Sequence, residues 1–548
     1  MKIARLIGAA GSGKTTELLN IMEAALPGLG NDPLRLGFAS FTRAARAEAV
    51  TRAAAAWGVP TSKLDGEGWF RTVHSTCKRC LGIGPGLLIG GSAADTKWIS
   101  EALGVPVSTS IDDDTGRQRF IGGAAGAALT CWDKARSTLQ SLEEVVRRAR
   151  RLDDDAPEFA AVVRTVEKYE TAKRVEGRLD FSDLLLQFTG FRCSATGGVD
   201  RFEPAGDLPP VAAWLFDEQQ DASPLLDAAC KRLVSAPSVK WCYVVGDPFQ
   251  GIFGFAGSSS ACFLGWPADK ERTMAKSYRC PKPILELGER CLRRMYRGYF
   301  NRHVLPADHE GKVFNTGVDE PMNAAKPDES WLFIARTNYE ANRLYATLNA
   351  RGKPARWVKQ PEGLTARGQG LAALHALEQN KAITGTEWGR ALELLPIKNN
   401  RQEEMLTRGT KTGWARVHAD QYDWIFRNDL EKVGGTKSLV ERVASGRWVE
   451  LVDRGEEWRG HAERWGTELA SNSKIRVGTI HSVKGMEADN VAFLTTTGKR
   501  VEQGRDDDAD QHDEECRIAY VAVTRARRNL YVMDEYSRGK RVSCMEVL

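Results

Sequence analysis

The chain has 548 residues, of which 42% are hydrophobic and 27% are charged, a balance that is ordinary for soluble globular proteins. Its length predicts about three or four domains. The net charge of +5 permits nucleic-acid binding without arguing for it. No apolar run reaches the roughly 18 residues that span a bilayer, which excludes a membrane-spanning protein. We therefore expect a cytoplasmic protein that has no membrane partner.

The first forty residues predict a strand, a glycine loop, a helix and a second strand, the order of a βαβ unit. The loop has the spacing GxxxxGK followed by threonine, which is typical of a phosphate-binding loop and less often of a simple turn. We expect Lys14 to reach the β- and γ-phosphates of ATP and the Thr15 hydroxyl to bind Mg²⁺. The predicted nucleotide contacts of this segment are Gly8, Ala9, Ala10, Gly11, Ser12, Gly13, Lys14, Thr15 and Thr16.

A second half of such a site follows the apolar strand that ends at Phe216. Two carboxylates come directly after it, Asp217 and Glu218. We expect Asp217 to hold Mg²⁺ and Glu218 to orient and deprotonate the attacking water. An acidic pair after a strand is by itself weak evidence for a nucleotide site, but together with a phosphate-binding loop upstream it becomes strong evidence. The fold class is therefore α/β, with parallel sheets and flanking helices.

Further buried-strand signals fall into two groups that are separated by helix-rich stretches. These stretches cover about residues 85 to 178 and 357 to 465. We expect the tryptophans of the second stretch to pack in a core or between helices, namely Trp388, Trp414, Trp424, Trp448, Trp458 and Trp465. Cys77 and Cys80 form a CxxC without a second pair at ligand spacing, so ordinary packing is expected there rather than a metal site.

Eight segments resemble, in the same order, the motifs of superfamily one helicases of the UvrD/Rep type. The resemblance covers most of the chain outside the helix-rich stretches. The acidic pair lies in Asp217-Glu218-Gln219-Gln220-Asp221, which is similar to the DExQD box. The other segments begin at Phe41, Thr72, Leu179, Val245, Ser277, Gly478 and Tyr520.

The resemblance implies two RecA-like motor domains, each carrying a mainly helical inserted subdomain, with ATP between them. The first motor domain is then expected at residues 1–84 and 179–283, with its insert at 85–178. The second is expected at 284–356 and 466–548, with its tryptophan-rich insert at 357–465.

The resemblance also implies roles at the nucleotide. Gln250 would couple the γ-phosphate to the DNA groove, and Tyr278 would stack on the adenine. Arg279 and Arg525 would be arginine fingers supplied by the second motor domain, because a fixed guanidinium suits the charge of the transferred phosphoryl group. Gly485 and Glu487 would reach the ribose and phosphate region. Surface ion pairs for the arginines and core packing for Tyr278 remain the alternatives.

The resemblance implies single-stranded DNA as the track, and binding of such a strand should combine stacking platforms with phosphate contacts. The resemblance places Phe41, Phe253 and Phe255 where aromatic rings stack bases or line the path. A core position is the ordinary alternative for any phenylalanine. The expected contacts to the strand's backbone are Thr42, His74, Thr479 and His481.

Together these features predict an ATP-dependent translocase and helicase that needs Mg²⁺ and acts on single-stranded and tailed duplex DNA. The form of the acidic box and of the segment around Lys484 resembles the 3′-to-5′ branch of the family. A translocase that strips bound proteins without unwinding, an ATP-switched scaffold for replication or repair proteins, and an RNA track stay open. The compact chain is typical of a phage-type member that works in a bacterial or phage-infected cytoplasm.

Overall fold

The structure is a computed structural model of the chain. It describes residues 1 to 534 except 42, 112–117, 153–155, 361, 362, 364, 415–421, 423, 499, 500 and 503–507. The described residues form two compact units. The first comprises Met1–Gly311 and Gly498–Thr524, and the second comprises Lys312–Thr497 and continues from Arg525.

The first unit contains a six-stranded sheet and two short hairpins. Its strands are β1 (Lys2–Gly8), β2 (Leu36–Ser40), β3 (Trp69–Thr72), β4 (Ser108–Ile111), β5 (Gln118–Ile121), β6 (Phe191–Cys193), β7 (Val199–Arg201), β8 (Ala213–Phe216), β9 (Trp241–Gly246) and β10 (Lys270–Met274). The order in the large sheet is β10-β1-β9-β8-β2-β3, and every neighbouring pair is parallel. Parallel sheets are covered on both faces, which explains why β2 and β8 are buried throughout.

Helices cover both faces of this sheet. The helices of the first unit are α1 (Lys14–Ala25), α2 (Arg43–Trp57), α3 (Val73–Cys80), α4 (Ala93–Leu103), α5 (Gly123–Thr138), α6 (Leu142–Leu152), α7 (Phe159–Glu176), α8 (Phe181–Thr189), α9 (Pro224–Val234), α10 (Ser260–Leu264), α11 (Lys282–Leu292) and α20 (Ala509–Val523). Successive residues of a strand point to opposite faces. Trp214 and Phe216 accordingly enter one hydrophobic core, and Leu215 enters the other.

The expected packing of the CxxC cysteines is confirmed. Cys77 and Cys80 both lie in the core that contains Trp214. Burial raises the pKa of the Cys80 thiol to about 11, so that the uncharged thiol persists at neutral pH.

The helix-rich stretch of the first unit has a core of its own. Helices α4 to α7 pack around buried residues such as Ile99, Leu129, Trp132 and Tyr169. The sequence did not reveal that β4 and β5 form an antiparallel hairpin beside these helices. The stretch is therefore mainly helical, as expected, with a small sheet added.

A buried group of charges ties this helical stretch to helix α8. Arg136 of α5 bonds Asp180 through Nη2 to Oδ2 at 2.8 Å and Asp183 through Nη1 to Oδ1 at 3.1 Å. Lys173 of α7 bonds the same two carboxylates, at 2.8 Å and 2.7 Å. Asp180 also caps the first turn of α8 by accepting from the backbone N–H of Asp183. One set of side chains thus joins three helices.

The second unit contains another six-stranded parallel sheet. Its strands are β11 (Lys312–Thr316), β12 (Trp331–Ala335), β13 (Arg356–Trp357), β14 (Ile475–Thr479), β15 (Ala488–Leu494) and β16 (Ala526–Met533). Their order is β11-β16-β15-β12-β14-β13, and all described pairings are parallel. Two parallel sheets with flanking helices confirm the expected α/β fold class of paired RecA-like domains.

The helices of the second unit include a tryptophan-rich group with its own core. They are α12 (Asp319–Ala324), α13 (Asn338–Ala350), α14 (Ala366–Glu378), α15 (Gly385–Leu394), α16 (Thr410–Trp414), α17 (Lys437–Ala444), α18 (Gly455–Trp465) and α19 (Thr467–Asn472). Trp388, Trp448 and Trp458 are buried in that core, as predicted. The prediction is wrong for Trp424, whose ring is 69% exposed.

The unit limits differ from the predicted domain limits. Residues 284 to 311 and the described part of 498 to 524, predicted for the second motor domain, pack with the first unit. Helix α11 packs on α20, and Asp513 accepts the backbone N–H groups of Tyr296 and Arg297 at 2.7 Å and 3.1 Å. The limits of the motor domains themselves stay a prediction. Across the described chain, we find no helix whose length and apolar character would let it cross a bilayer.

Candidate nucleotide site and nucleic-acid contacts

The glycine loop connects the end of β1 to the start of α1. Gly11 and Gly13 have φ angles of +70° and +78°, which glycine adopts without steric cost. A Cβ at Gly8 would collide with the Lys14 side chain, so this glycine is required for the lysine to fold over the loop. The Ser12 Oγ is buried and has no hydrogen-bond partner among the described residues. A loop of this shape, at a helix N-terminus, suits phosphate oxygens.

Three further side chains of the loop have defined positions. Lys14 is 9% exposed, and its Nζ donates to the carbonyl oxygen of Gly8 at 3.3 Å. The Thr15 hydroxyl donates to Asp217 Oδ2 at 3.3 Å. Thr16 is exposed, and its hydroxyl accepts from Arg52 at 2.7 Å. The predicted lysine and the predicted metal ligands therefore lie in one place.

The acidic pair lies at the carboxyl end of β8, the edge of a parallel sheet where ligands bind. The backbone N–H of Asp217 donates to the carbonyl of Ala39 in the adjacent strand β2 at 3.1 Å. Burial, with the neighbouring charge of Glu218 second, raises the pKa of Asp217 to about 7. A divalent cation next to such a carboxylate favours its charged form again. Thr15 Oγ1 and Asp217 are oxygen donors of the kind that Mg²⁺ takes, so the residues fit this ion.

Glu218 adopts an unusual backbone conformation. Its φ is +55°, in the left-handed region that a residue with a Cβ seldom occupies. The side-chain amide of Gln220 donates to Glu218 Oε2. Strained residues of this kind cluster at functional sites because the surrounding structure has to hold them. The conformation fixes the direction of a carboxylate directly beside Asp217.

Gln250 follows β9 in the same sheet. It is 5% exposed, and its Nε2 donates to Asp247 Oδ2 at 2.8 Å. Asp247 is fully buried. The predicted coupling residue is therefore held by a carboxylate at the same sheet edge as Asp217.

The segment from Ser277 to Arg279 lies against the glycine loop, and this contact is within the first unit. The Ser277 hydroxyl donates to the carbonyl of Ala10 at 2.8 Å, and the backbone N–H of Tyr278 donates to the carbonyl of Gly11 at 2.9 Å. The Tyr278 ring is 67% exposed, which leaves it open to a base.

Arg279 lies in the first unit, beside the glycine loop. A finger supplied by the second motor domain was expected, whereas Arg279 belongs to the unit that contains the glycine loop. Its Nη1 donates to the carbonyl of Thr524 at 3.4 Å. Arg279 also lies inside the range 179–283 that was expected for the first motor domain, so its expected supply from the second motor domain did not agree with those limits. The role of Arg279 at the nucleotide stays a prediction.

The second unit holds the other predicted residues. Arg525 is 1% exposed and donates to the carbonyl of Met486 at 3.2 Å. Glu487 is exposed and pairs with Arg527 at 3.0 Å. Thr479 ends β14, and its hydroxyl donates to Ser482 Oγ at 3.2 Å. Gly485 has a φ of +84° and His481 is half-buried in the same segment. Their contacts to nucleotide or DNA stay predictions.

The predicted DNA contacts of the first unit differ in exposure. The Phe255 side chain is 59% exposed, as a stacking platform requires. Phe41 and Phe253 are 6% and 5% exposed, so neither presents an open ring face in this conformation. His74 is buried with its ring against the edge of Phe181, at 5.4 Å between centroids. Thr42 lies outside the described residues.

Sequence reasoning missed several residues beside the site. Ser277 bonds the glycine loop, Arg302 is fully buried against Asp247, and Glu514 and Arg517 contact the loop that carries Phe255. Arg302 lies outside all eight segments, so no sequence signal pointed to it. For Glu514 and Arg517 the only signal was their position just before the last segment.

Comparison with known proteins finds two matching domain families. Residues 2–270 match the UvrD/REP helicase N-terminal domain, and residues 463–536 match the UvrD-like helicase C-terminal domain. YjcD of Bacillus subtilis (strain 168), whose name assigns it to the ATP-dependent DNA helicases, is 21% identical over 446 residues. ATP-dependent DNA helicase UvrD1 of Mycobacterium leprae (strain TN) is 26% identical over 311 residues.

These alignments cover only part of the relatives. The first covers 68% of this chain and 57% of YjcD, and the second covers 53% of this chain and 37% of UvrD1. The matched region thus spans less than two thirds of the length of each of these curated relatives. The N-terminal match covers strands of the first parallel sheet, and the C-terminal match covers strands of the second. The chain belongs to the UvrD/Rep-type helicases of superfamily one.

Proposed function

We propose that the chain is an ATP-driven translocase on single-stranded DNA and a DNA helicase of 3′-to-5′ polarity. One observation carries the proposal: Lys14, Thr15 and Asp217 meet at the carboxyl edge of a parallel sheet, with Glu218 next to them. Phosphoryl transfer needs this combination, because its catalysis consists of positioning and charge stabilisation.

In the proposed reaction, Glu218 takes a proton from water as the water oxygen forms a bond to the γ-phosphorus. The bond between that phosphorus and the β,γ-bridging oxygen breaks, and ADP leaves with the bonding electrons. Lys14 balances negative charge on the phosphates. Mg²⁺, when bound by Thr15 and Asp217, supplies further charge neutralisation. Tyr278 holds the base through its exposed ring.

Movement along DNA requires that the state of the nucleotide changes the grip on the strand. Phe255 supplies an exposed ring on which a base can stack. Gln250 lies between this loop and the acidic pair in sequence and is bonded to Asp247 at the sheet edge. DNA is proposed as the track because both named relatives are called DNA helicases. The polarity is supported by the form of the acidic box and of the segment around Lys484.

A translocase that removes bound proteins without opening duplexes is the second candidate, because the same site would drive both activities. The two are separated by strand displacement on three DNA substrates: duplexes with a 3′ tail, with a 5′ tail and without a tail. We expect ATP-dependent displacement of the 3′-tailed duplex, at least tenfold faster than of the 5′-tailed one, and none with Lys14→Ala. Displacement from the 5′ tail alone would contradict the polarity. Translocation without displacement would favour the second candidate.

A further inference from the structure

One face of helix α20 contacts two loops of the first unit. Glu514, Arg517 and Tyr520 are spaced by three residues, which places them along the same side of a helix. All three belong to the unit that contains the glycine loop. The loop at Gly8–Thr16 is called here the phosphate loop, and residues 251 to 255 are called the aromatic loop.

The first half of this face holds the aromatic loop. Glu514 Oε1 accepts the backbone N–H of Gly254 at 2.8 Å. Arg517 Nε donates to the carbonyl oxygen of Gly251 at 2.9 Å. A Cβ at Gly254 would come within 2.7 Å of the Glu514 carboxylate, so the glycine allows the helix this close approach. The exposed Phe255 follows directly.

The second half of the face reaches the phosphate loop through Tyr520. The Tyr520 side chain is fully buried, and its hydroxyl accepts the backbone N–H of Ala10 at 3.3 Å. The same hydroxyl donates to Asp247 Oδ2 at 3.3 Å. A phenol has one proton to donate and can accept two bonds, so these contacts are chemically compatible.

Asp247 connects this hydroxyl to Gln250. Its Oδ2 accepts from Gln250 Nε2, and its Oδ1 accepts from Arg302 Nη1 at 2.6 Å. The Arg302 side chain is fully buried and also bonds Glu289 Oε1 at 2.9 Å and the Tyr520 oxygen at 3.2 Å. Hydrogen bonds to charged groups are about twice as strong as neutral ones, so this buried group holds Asp247 in one place.

We propose that Glu514, Arg517 and Tyr520 are positioning residues that couple the phosphate loop to the aromatic loop. This inference rests on the proposed function. A rearrangement of the phosphate loop around a nucleotide changes the contact at Ala10, and the rigid helix transmits it to Gly251 and Gly254. Coupling is the free energy by which a ligand at one site changes the affinity for a ligand at the other site, and it is equal in both directions. Packed, hydrogen-bonded elements carry such coupling between sites. Single-stranded DNA on the aromatic loop therefore changes nucleotide affinity and hydrolysis.

The test compares variants of Glu514 in the full chain. Glu514→Ala removes the acceptor for the Gly254 N–H, whereas Glu514→Gln keeps an acceptor oxygen at the same position. ATP hydrolysis is measured with and without oligothymidylate. We expect Glu514→Ala to keep the rate without DNA within about twofold and to lose stimulation by about 5- to 150-fold, the span of allosteric coupling. Glu514→Gln should keep the stimulation by DNA, because its side-chain oxygen can still accept the Gly254 N–H. If loss of the charge alone were responsible, Glu514→Gln would lose the stimulation as Glu514→Ala does.

Two controls complete the design. Glu286→Ala removes an exposed carboxylate on α11 and should leave stimulation unchanged. Tyr520→Phe removes only the hydroxyl at the other end of the helix face, and the affinity for single-stranded DNA is then measured with and without a non-hydrolysable ATP analogue. We expect the analogue to shift DNA affinity in the wild type and to shift it at least fivefold less in Tyr520→Phe, again by loss of coupling.

The outcomes distinguish a failure of the proposed coupling from a failure of the proposed function. Unchanged stimulation in Glu514→Ala, equal loss in Glu514→Gln, or an undiminished shift in Tyr520→Phe would overturn the coupling alone. Wild-type hydrolysis that does not respond to DNA would contradict the proposed function as well. If Glu514→Ala does not fold, the shift in DNA affinity of Tyr520→Phe tests the coupling by itself, because phenylalanine keeps the ring and its packing.

Discussion

Replacing Glu218 with glutamine is expected to lower DNA-stimulated ATP hydrolysis by about 10²- to 10⁴-fold, the usual contribution of a general base. Glutamine keeps the shape of the side chain and an oxygen that accepts from Gln220, but it cannot take a proton from water. The φ of +55° at this position is set by the backbone around it and should persist. Nucleotide binding should therefore remain within a few-fold, measured by titration of a fluorescent ATP analogue.

Glu23→Gln is the matched control for this variant. Glu23 is an exposed carboxylate on α1, the helix that follows the phosphate loop. Its replacement by glutamine should leave hydrolysis unchanged. A Glu218→Gln enzyme that hydrolyses ATP at the wild-type rate would show that another group takes the proton.

Replacing Arg136 with alanine is expected to lower the free energy of unfolding of the first unit by about 3–5 kcal/mol, the effect of removing one partner from a buried ion pair. The Arg136 side chain is 2% exposed and lies at hydrogen-bond distance from both Asp180 and Asp183. Burial raises the pKa of Asp180, but Arg136 and Lys173 outweigh it and hold the pKa well below its usual value. Without the guanidinium, charged carboxylates would stay buried with too few partners. Denaturant unfolding followed by circular dichroism measures the loss.

Arg147→Ala serves as the control for Arg136. Arg147 is 57% exposed and pairs with Glu144 on the same helix. Exposed pairs contribute about 0–1 kcal/mol, so this variant should unfold close to the wild type. Equal stability of the Arg136 and Arg147 variants would mean that the buried charges do not tie α5 and α7 to α8.

The parts of the molecule that were predictable are those fixed by local chemistry. The glycine spacing before Lys14 and the acidic pair after an apolar strand follow from what a phosphate and a metal ion require, and the structure brings Thr15 and Asp217 together. Burial on both faces of parallel strands makes β2 and β8 recognisable as unbroken apolar runs.

The parts that were not predictable depend on distant partners. Phe253 and Phe255 are two residues apart in one segment, yet one is buried and the other exposed. Between them, the backbone N–H of Gly254 donates to Glu514 of helix α20, a partner that is distant in sequence. The position of Arg302 depends on Asp247, Glu289 and Tyr520, which are distant in sequence, and the sequence around Arg302 does not indicate these contacts. The membership of α20 in the first unit likewise follows from packing on α11.

We propose that the site formed by Lys14, Thr15, Asp217 and Glu218 hydrolyses ATP in response to single-stranded DNA. Its most direct test is the steady-state rate of Mg²⁺-dependent ATP hydrolysis as oligothymidylate is added to the wild type and to Lys14→Ala. We predict a rate that rises and saturates with DNA in the wild type and stays at background in the variant. A wild-type rate that DNA does not change, or a Lys14→Ala rate equal to the wild-type rate, would contradict this proposal.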